Sequence, residues 1–266
     1  MIRAIAARLG EAWAVCAAIQ LALWLVARRT RNAGIVDVGW ALSFTAVIGV
    51  LGLSPLAAKS AWLPISIVVI AWSTRLGCYL VWRGAATGPE EGRYVELRRR
   101  WALHANRRFL VFFQAQGAMT ALLSTAFVVP FVAEPWDGGV LRVFAVVVAA
   151  GGVIGEASAD RQLAQFKRDP ANKGKVCDLG LWQYSRHPNY FFEWCVWIGY
   201  ALYTLAFMFP YNLIGLVGQA IILGSIFGVT GIPPTEEQAV RSRGDAYRDY
   251  QSRVSRFVPL PPRVRR

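Results

Sequence analysis

A chain of 266 residues with 55% hydrophobic and 17% charged residues, and a mean hydropathy of +0.37, is neither a disordered tail nor an ordinary soluble globule, in which about a quarter of residues are charged. Its 29 Lys and Arg against 16 Asp and Glu give a formal charge of +13, which suits nucleic acid, an anionic membrane face or a phosphorylated ligand. Apolar runs this long exclude a nucleic-acid domain, and Cys16, Cys78, Cys177 and Cys195 lie too far apart for a zinc site or a disulfide frame.

The runs fall at about 12–27, 35–53, 61–82, 109–132, 139–157, 190–209 and 212–232, each close to bilayer length. The first is followed by Arg28, Arg29 and Arg31 and by no small-residue cleavage site, so it reads as an uncleaved anchor. Pro210-Tyr211-Asn212 separates the last two as a tight reversal. Lys and Arg number 3 at 28–31, 7 at 83–108, 6 at 158–190 and 8 at 235–266, which places 24 of 29 on one side of a seven-span model. The opposite loops hold Lys59 and Arg142 beside Glu134 and Asp137, and Arg3 and Arg8 precede the first span. The positive-inside rule then predicts an all-α protein of seven transmembrane helices, with its N-terminus outside and its C-terminus cytoplasmic. The chain reads as one integral membrane domain (1–266), with spans 1–4 (12–132) on the substrate side and 139–266 as the cofactor-binding half.

The polar residues within the spans share this asymmetry. Asp37, Arg75, Gln114, Gln116, Glu156 and Glu193 all fall in the cytoplasmic half, and Gln219 falls in the outer half. Charge at membrane depth costs a few kcal/mol, so such groups face a wet cavity or snorkel from helix ends. Six against one favours a polar cavity open to the cytoplasm.

The stretch 159–194 concentrates Lys167, Arg168, Lys173, Lys175 and Arg186 among bending Gly and Pro residues. That composition suits phosphate or pyrophosphate, and equally suits anionic lipid headgroups. No GxGxxG after a strand and no GxxxxGK[ST] is present. Tyr184-Ser185-Arg186-His187-Pro188-Asn189-Tyr190 follows, with Pro188 at a helix start and Asn189 and Glu193 four apart on one face. An amide and a carboxylate on one wall can take a carboxamide or ribose hydroxyls; for His187 a capping or loop role stays open. The last segment opens Gly231-Ile232-Pro233-Pro234-Thr235-Glu236-Glu237, where Thr235 suits an N-cap and the acids a first turn. Arg241, Arg243, Tyr247, Arg248 and Tyr250 follow at helical spacing, as an interfacial anchor or as a lid over a cofactor.

The segments GLWQYSRHPNYFFEWCVWIGYAL and IPPTEEQ…AYRDYQSRVSRFVPLPP, with DVGW near residue 37, resemble the bacterial steroid 5α-reductase-like integral membrane family. The resemblance covers about residues 30–262 and is strongest over 156–262. It implies an enzyme of the bacterial inner membrane that binds NADPH from the cytoplasmic side and reduces an activated carbon–carbon double bond in a lipophilic, steroid-like substrate. On that resemblance the cofactor-binding positions are Glu156, Asp160, Lys167, Asn172, Lys175, Tyr184, Arg186, His187, Asn189, Tyr190, Glu193, Glu237, Arg241 and Tyr247. The family's early carbonyl-binding acid corresponds to Asp37; its companion phenol on the third span has no clear counterpart, with Trp72, Arg75 and Tyr79 around that place and Tyr79 as the candidate phenol. No metal is implied, and the oligomeric state stays open, with a monomer compatible. The alternative is a membrane methyltransferase of the isoprenylcysteine carboxyl type, which shares an RHPxY segment and uses S-adenosylmethionine. The lysine-rich loop argues against it, because S-adenosylmethionine carries no phosphate.

Overall fold

The computed structural model describes residues 1–136, 138–228 and 230–263; Asp137 lies outside the described residues. The described residues form helices and short 3-10 turns, with no β-strand among them. Ten α-helices follow in order: α1 (Ile2–Thr30), α2 (Ile35–Leu53), α3 (Lys59–Trp82), α4 (Gly92–Trp101), α5 (Ala105–Leu123), α6 (Val140–Arg168), α7 (Pro188–Leu205), α8 (Gly215–Phe227), α9 (Ile232–Arg243) and α10 (Asp245–Arg253).

Six helical stretches among the described residues are long and apolar enough to cross a membrane: α1, α2, α3, Gly92–Ala126, α6 and Tyr211–Arg243. These apolar surfaces suit a lipid bilayer. Helix α7, which holds the span expected at 190–209, is not among the six. Its 18 residues carry five tyrosines and tryptophans together with Glu193, and such residues prefer membrane interfaces over the hydrocarbon centre. The expected reversal at Pro210-Tyr211-Asn212 does fall between α7 and α8, in a 3-10 turn over Tyr211–Ile214. The fourth expected span, 109–132, is helical only to Leu123 and ends in 3-10 turns at Ser124–Ala126 and Val129–Phe131.

The chain divides into two compact units. The first comprises Met1–Arg142 and Ala201–Gly218. Within it α1 packs on α2 and α5, and α2 packs on α3. Gly117 permits the α1–α5 approach, since a Cβ there would stand 3.2 Å from the Cys16 carbonyl oxygen. Trp40, Phe44, Trp72 and Phe127 meet edge to face with centroids 5.2–6.3 Å apart, a geometry that favours the ring quadrupoles. Pro64 lacks the N–H that would bond Ser60 inside α3. Arg142 Nη1 donates to that freed carbonyl at 2.9 Å, so the helix continues with its backbone satisfied.

Three polar residues fix the start of α2. Asn32 Oδ1 accepts from Gly34 N at 2.9 Å, and Asn32 Nδ2 donates to Gly88 O at 3.0 Å. Glu90 Oε1 accepts from Ala33 N at 2.7 Å while both Glu90 oxygens accept from Arg98. This clamp seats Asp37 in the first turn of α2.

The second unit comprises Val143–Tyr200 and Gln219–Arg266. Here α6 and α7 run close together because both are cut back to glycine at the contact. A Cβ on Gly152 would stand 2.7 Å from Val196 N, and one on Gly199 would stand 2.7 Å from Ala149 N. The segment joining α6 to α7 folds back on α6: Trp182 Nε1 donates to Ala159 O at 3.0 Å, and Leu181 N donates to Gln162 Oε1 at 2.8 Å. Gly180 makes the turn with φ +58°, where a side chain is strained and would strike Gln162. Beyond α10 the chain pairs with the same segment. Arg186 N donates to Ser255 O at 2.8 Å, Ser185 Oγ to Phe257 O at 2.7 Å, and Leu260 N to Tyr184 O at 3.0 Å.

Candidate functional site

The second unit contains a cavity of about 480 Å³, walled by α6, the 176–190 segment, α9 and α10. Pro188 starts α7, where its missing N–H is harmless. That start sets His187, Asn189 and Tyr190 on the cavity wall. The imidazole of His187 is stacked on the Tyr190 ring, centroids 5.5 Å apart and planes 9° from parallel. Tyr190 Oη lies 3.3 Å from Thr235 Oγ1, and Thr235 Oγ1 donates to Gly231 O at 2.8 Å. Trp182, Tyr247 and Tyr250 add aromatic surface, and Lys167 and Arg243 add charge.

A second hollow of about 430 Å³ adjoins it, sharing Leu163, Lys167, Cys177 and Arg243. Its wall carries Arg168, Lys173, Lys175 and Asn172. Among the described residues Asp169 is the only acid on that wall, and its Oδ1 accepts from Ala171 N at 2.8 Å, capping the turn. Arg243 Nε donates to Lys175 O at 3.0 Å, which ties this loop to α9. One hollow is thus mainly aromatic and the other mainly cationic.

Beneath them Arg186 and Glu236 form a mostly buried ion pair, Nε to Oε1 2.7 Å, with side chains 10% and 14% exposed. Arg186 Nη1 also donates to Gln251 O at 2.7 Å and Val254 O at 3.3 Å. His187 Nε2 lies 3.1 Å from Glu236 Oε1, and Gln251 Nε2 donates to Glu236 Oε2 at 3.1 Å. Glu236 therefore joins Arg186 and His187, just before α7, to Gln251 of α10. Burial pushes the His187 pKa below its ordinary value; Glu236 pulls it back in part, and the Arg186 and Arg256 charges lower it further. Burial likewise raises the Tyr247 phenol to about 12 and holds Tyr250 above its ordinary value. Tyr250 Oη donates to the Trp182 and Ser185 carbonyls, locking the segment that leads into α7.

The structure brings Lys167, Arg186, His187, Asn189, Tyr190 and Tyr247 to the first cavity, and Lys167, Asn172 and Lys175 to the second. Other residues expected at the site line neither hollow. Glu156 and Asp160 are buried on α6, Glu193 is half-buried on α7, and Tyr184 is 39% exposed. Glu237 and Arg241 pair with each other at 3.3 Å on the exposed side of α9. Glu236, Thr235, Gln251, Trp182 and Arg243 are wall or support residues that the sequence did not single out as binding groups.

The first unit has its own polar cluster. Asp37 Oδ1 accepts from Tyr94 Oη at 2.9 Å, and Arg93 Nη2 donates to Oδ2. Arg93 also pairs with Glu91 at 3.2 Å and lies over the Tyr94 ring. Tyr94 is 1% exposed and packs among Val36, Phe109 and Phe113. Tyr79 sits in the last turn of α3, stacked on Trp82 and covered by Arg83.

Apolar helices around buried polar clusters define a membrane protein. The chain belongs to the DUF1295 family, described as proteins of unknown function, which it matches over residues 23–254. No curated protein and no solved structure matches it.

Proposed function

We propose that this protein is an NADPH-dependent oxidoreductase of the bacterial inner membrane, related to the steroid 5α-reductases, which reduces the Δ4 double bond of a 3-oxo steroid or a similar lipophilic enone. The proposal includes seven spans, with α7 as the sixth, an outer N-terminus and a cytoplasmic site. The observation that carries it is the pair of adjoining hollows in the second unit, one aromatic and one cationic, joined at Lys167 and Arg243. A dinucleotide needs both. Its phosphates suit Arg168, Lys173 and Lys175, which present several donors where Asp169 is already used as a cap. Its ring and ribose hydroxyls suit Tyr190, Tyr247, Asn189 and Thr235. S-adenosylmethionine, without a phosphate, has no use for the cationic hollow.

When bound, NADPH supplies a hydride for the β-carbon of the enone. The protein's own residues provide binding, orientation and electrostatics. Negative charge builds on the substrate carbonyl oxygen, and an acid or phenol aimed at that oxygen stabilises it. We assign this to Asp37 acting as the neutral acid once Arg93 gives way to substrate, with Tyr79 and Tyr94 as the two phenols to be separated by substitution. The test is spectrophotometric NADPH oxidation by purified protein against a panel of enones including progesterone and testosterone, beside a thermal-shift comparison of NADPH with S-adenosylmethionine. Consumption of NADPH with at least one enone and stabilisation by NADPH alone support the reading. Stabilisation by S-adenosylmethionine with no NADPH oxidation overturns it in favour of a methyltransferase.

A further inference from the structure

A different feature lies in the first unit, at the junction of α4 and α5. His104, Arg107, Arg108, Val111, Phe112 and Ala115 recur at helical spacing and form one stripe along α5. With Trp101 they line a hollow of about 590 Å³. The stripe is graded. Its first turn is basic, and everything after Arg108 is apolar. It faces outward: His104, Arg107, Arg108 and Ala115 are exposed, and Val111 is 65% exposed. The opposite side of the same helix, Phe109 and Phe113, is buried with Tyr94 in the core.

Charge makes the hollow selective. No acid lines it. The nearby acids are engaged by other arginines, Glu96 by Arg99 and Arg100, and Glu90 by Arg98. Among the described residues Arg107 and Arg108 have neither an ion pair nor a side-chain hydrogen bond. Two guanidinium groups one residue apart, above an apolar trough on a membrane-length helix, match one kind of molecule: an anionic head joined to a hydrocarbon tail.

We propose that this hollow is a binding site for one anionic phospholipid of the surrounding membrane. The phosphate lies against Arg107 and Arg108, and one acyl chain lies along Val111, Phe112 and Ala115. Arginine presents paired donors that fit phosphate oxygens, and basic residues beside a membrane helix select anionic headgroups. Trp101, on the same wall and packed edge to face on Phe109 with centroids 4.8 Å apart, supplies an indole of the kind that favours the zone between headgroup and chain. The site does not depend on the reaction proposed above.

The test is native mass spectrometry of the full chain in detergent, titrated with phosphatidylglycerol and phosphatidylcholine of identical acyl chains. We expect one phosphatidylglycerol to be retained preferentially. Each arginine contributes about a fivefold preference, by the energy of one base near an anionic headgroup. Arg107→Gln with Arg108→Gln removes the preference, whereas Arg29→Gln with Arg31→Gln, which lowers the net charge equally at the end of α1, keeps it. Ala115→Trp fills the trough and releases lipid while both arginines remain. Equal retention of the two lipids overturns the proposal, as does equal loss in the two double variants, which would show a general charge effect. Competition by glycerophosphoglycerol at the same concentration as the intact lipid also overturns it, by showing an ion site with no role for the trough.

Discussion

Replacing Glu236 by glutamine tests how the second unit holds its C-terminal helices to the segment before α7. The substitution keeps size and shape but removes the charge opposite Arg186 and turns one acceptor into a donor. In the native site Glu236 accepts from Arg186 Nε, Gln251 Nε2 and, in the matching tautomer, His187 Nε2. The new amide meets Gln251 donor to donor. Loss of one partner from a buried ion pair costs about 3–5 kcal/mol. The low end applies here, because Arg186 keeps its bonds to the Gln251 and Val254 carbonyls. A loss of about 3 kcal/mol corresponds to about two orders of magnitude in an opening equilibrium. Amide hydrogen exchange is the assay, because opening is local. Protection in α9 and α10 should fall about a hundredfold while α1, α2 and α5 keep theirs. Arg186→Met with Glu236→Leu should recover most of the loss, because the buried charges leave together. Unchanged exchange in α9 and α10, or a loss spread evenly over every helix, refutes the reasoning.

Three further outcomes follow from the site. His187 is depressed by burial, so the unfolded chain binds its proton first. Stability in this unit is therefore full above about pH 6.5, the ordinary histidine value, and is lost as pH falls below it; melting curves from pH 8 to 5 should show this slope, and His187→Gln should flatten it. Asp37→Asn should lower turnover with an enone by about 10²–10³-fold, the scale for loss of one donor to a developing oxyanion, while NADPH affinity measured by fluorescence titration stays within about twofold; equal turnover removes Asp37 from the reaction. Lys173→Gln with Lys175→Gln should weaken NADPH about tenfold, an effect that shrinks as salt screens the exposed charges; calorimetric titration at two ionic strengths checks both.

Much of the helical plan could be read directly, because apolar runs of bilayer length have few other readings and the basic loops punctuate them. The Lys167–Tyr190 stretch also carried its chemistry openly, since cations, an imidazole, an amide and phenols were dense in one segment. Pairings distant in the chain were hidden. Tyr94 reaches Asp37 across 57 positions from an arginine-rich helix that reads as a solvated loop. The two acids Glu236 and Glu237 look equivalent in the sequence. Successive residues in a helix point about 100° apart, so the register of α9 turns Glu236 onto Arg186 and leaves Glu237 with Arg241. Gln20 shows the same limit. It is a lone amide in an apolar run, yet it is fully buried, and neither of its amide atoms has a hydrogen-bond partner among the described residues.

The pairing of residues 184–186 with 255–260 has a bearing on the order in which the chain matures. A ribosome must read some seventy codons past Arg186 before its backbone partner exists. Helices of membrane length are therefore handed to the bilayer while the back of the cavity is still missing. The site can close only as a late event, and a nascent chain stalled before Ser255 would be inserted yet unable to complete that wall.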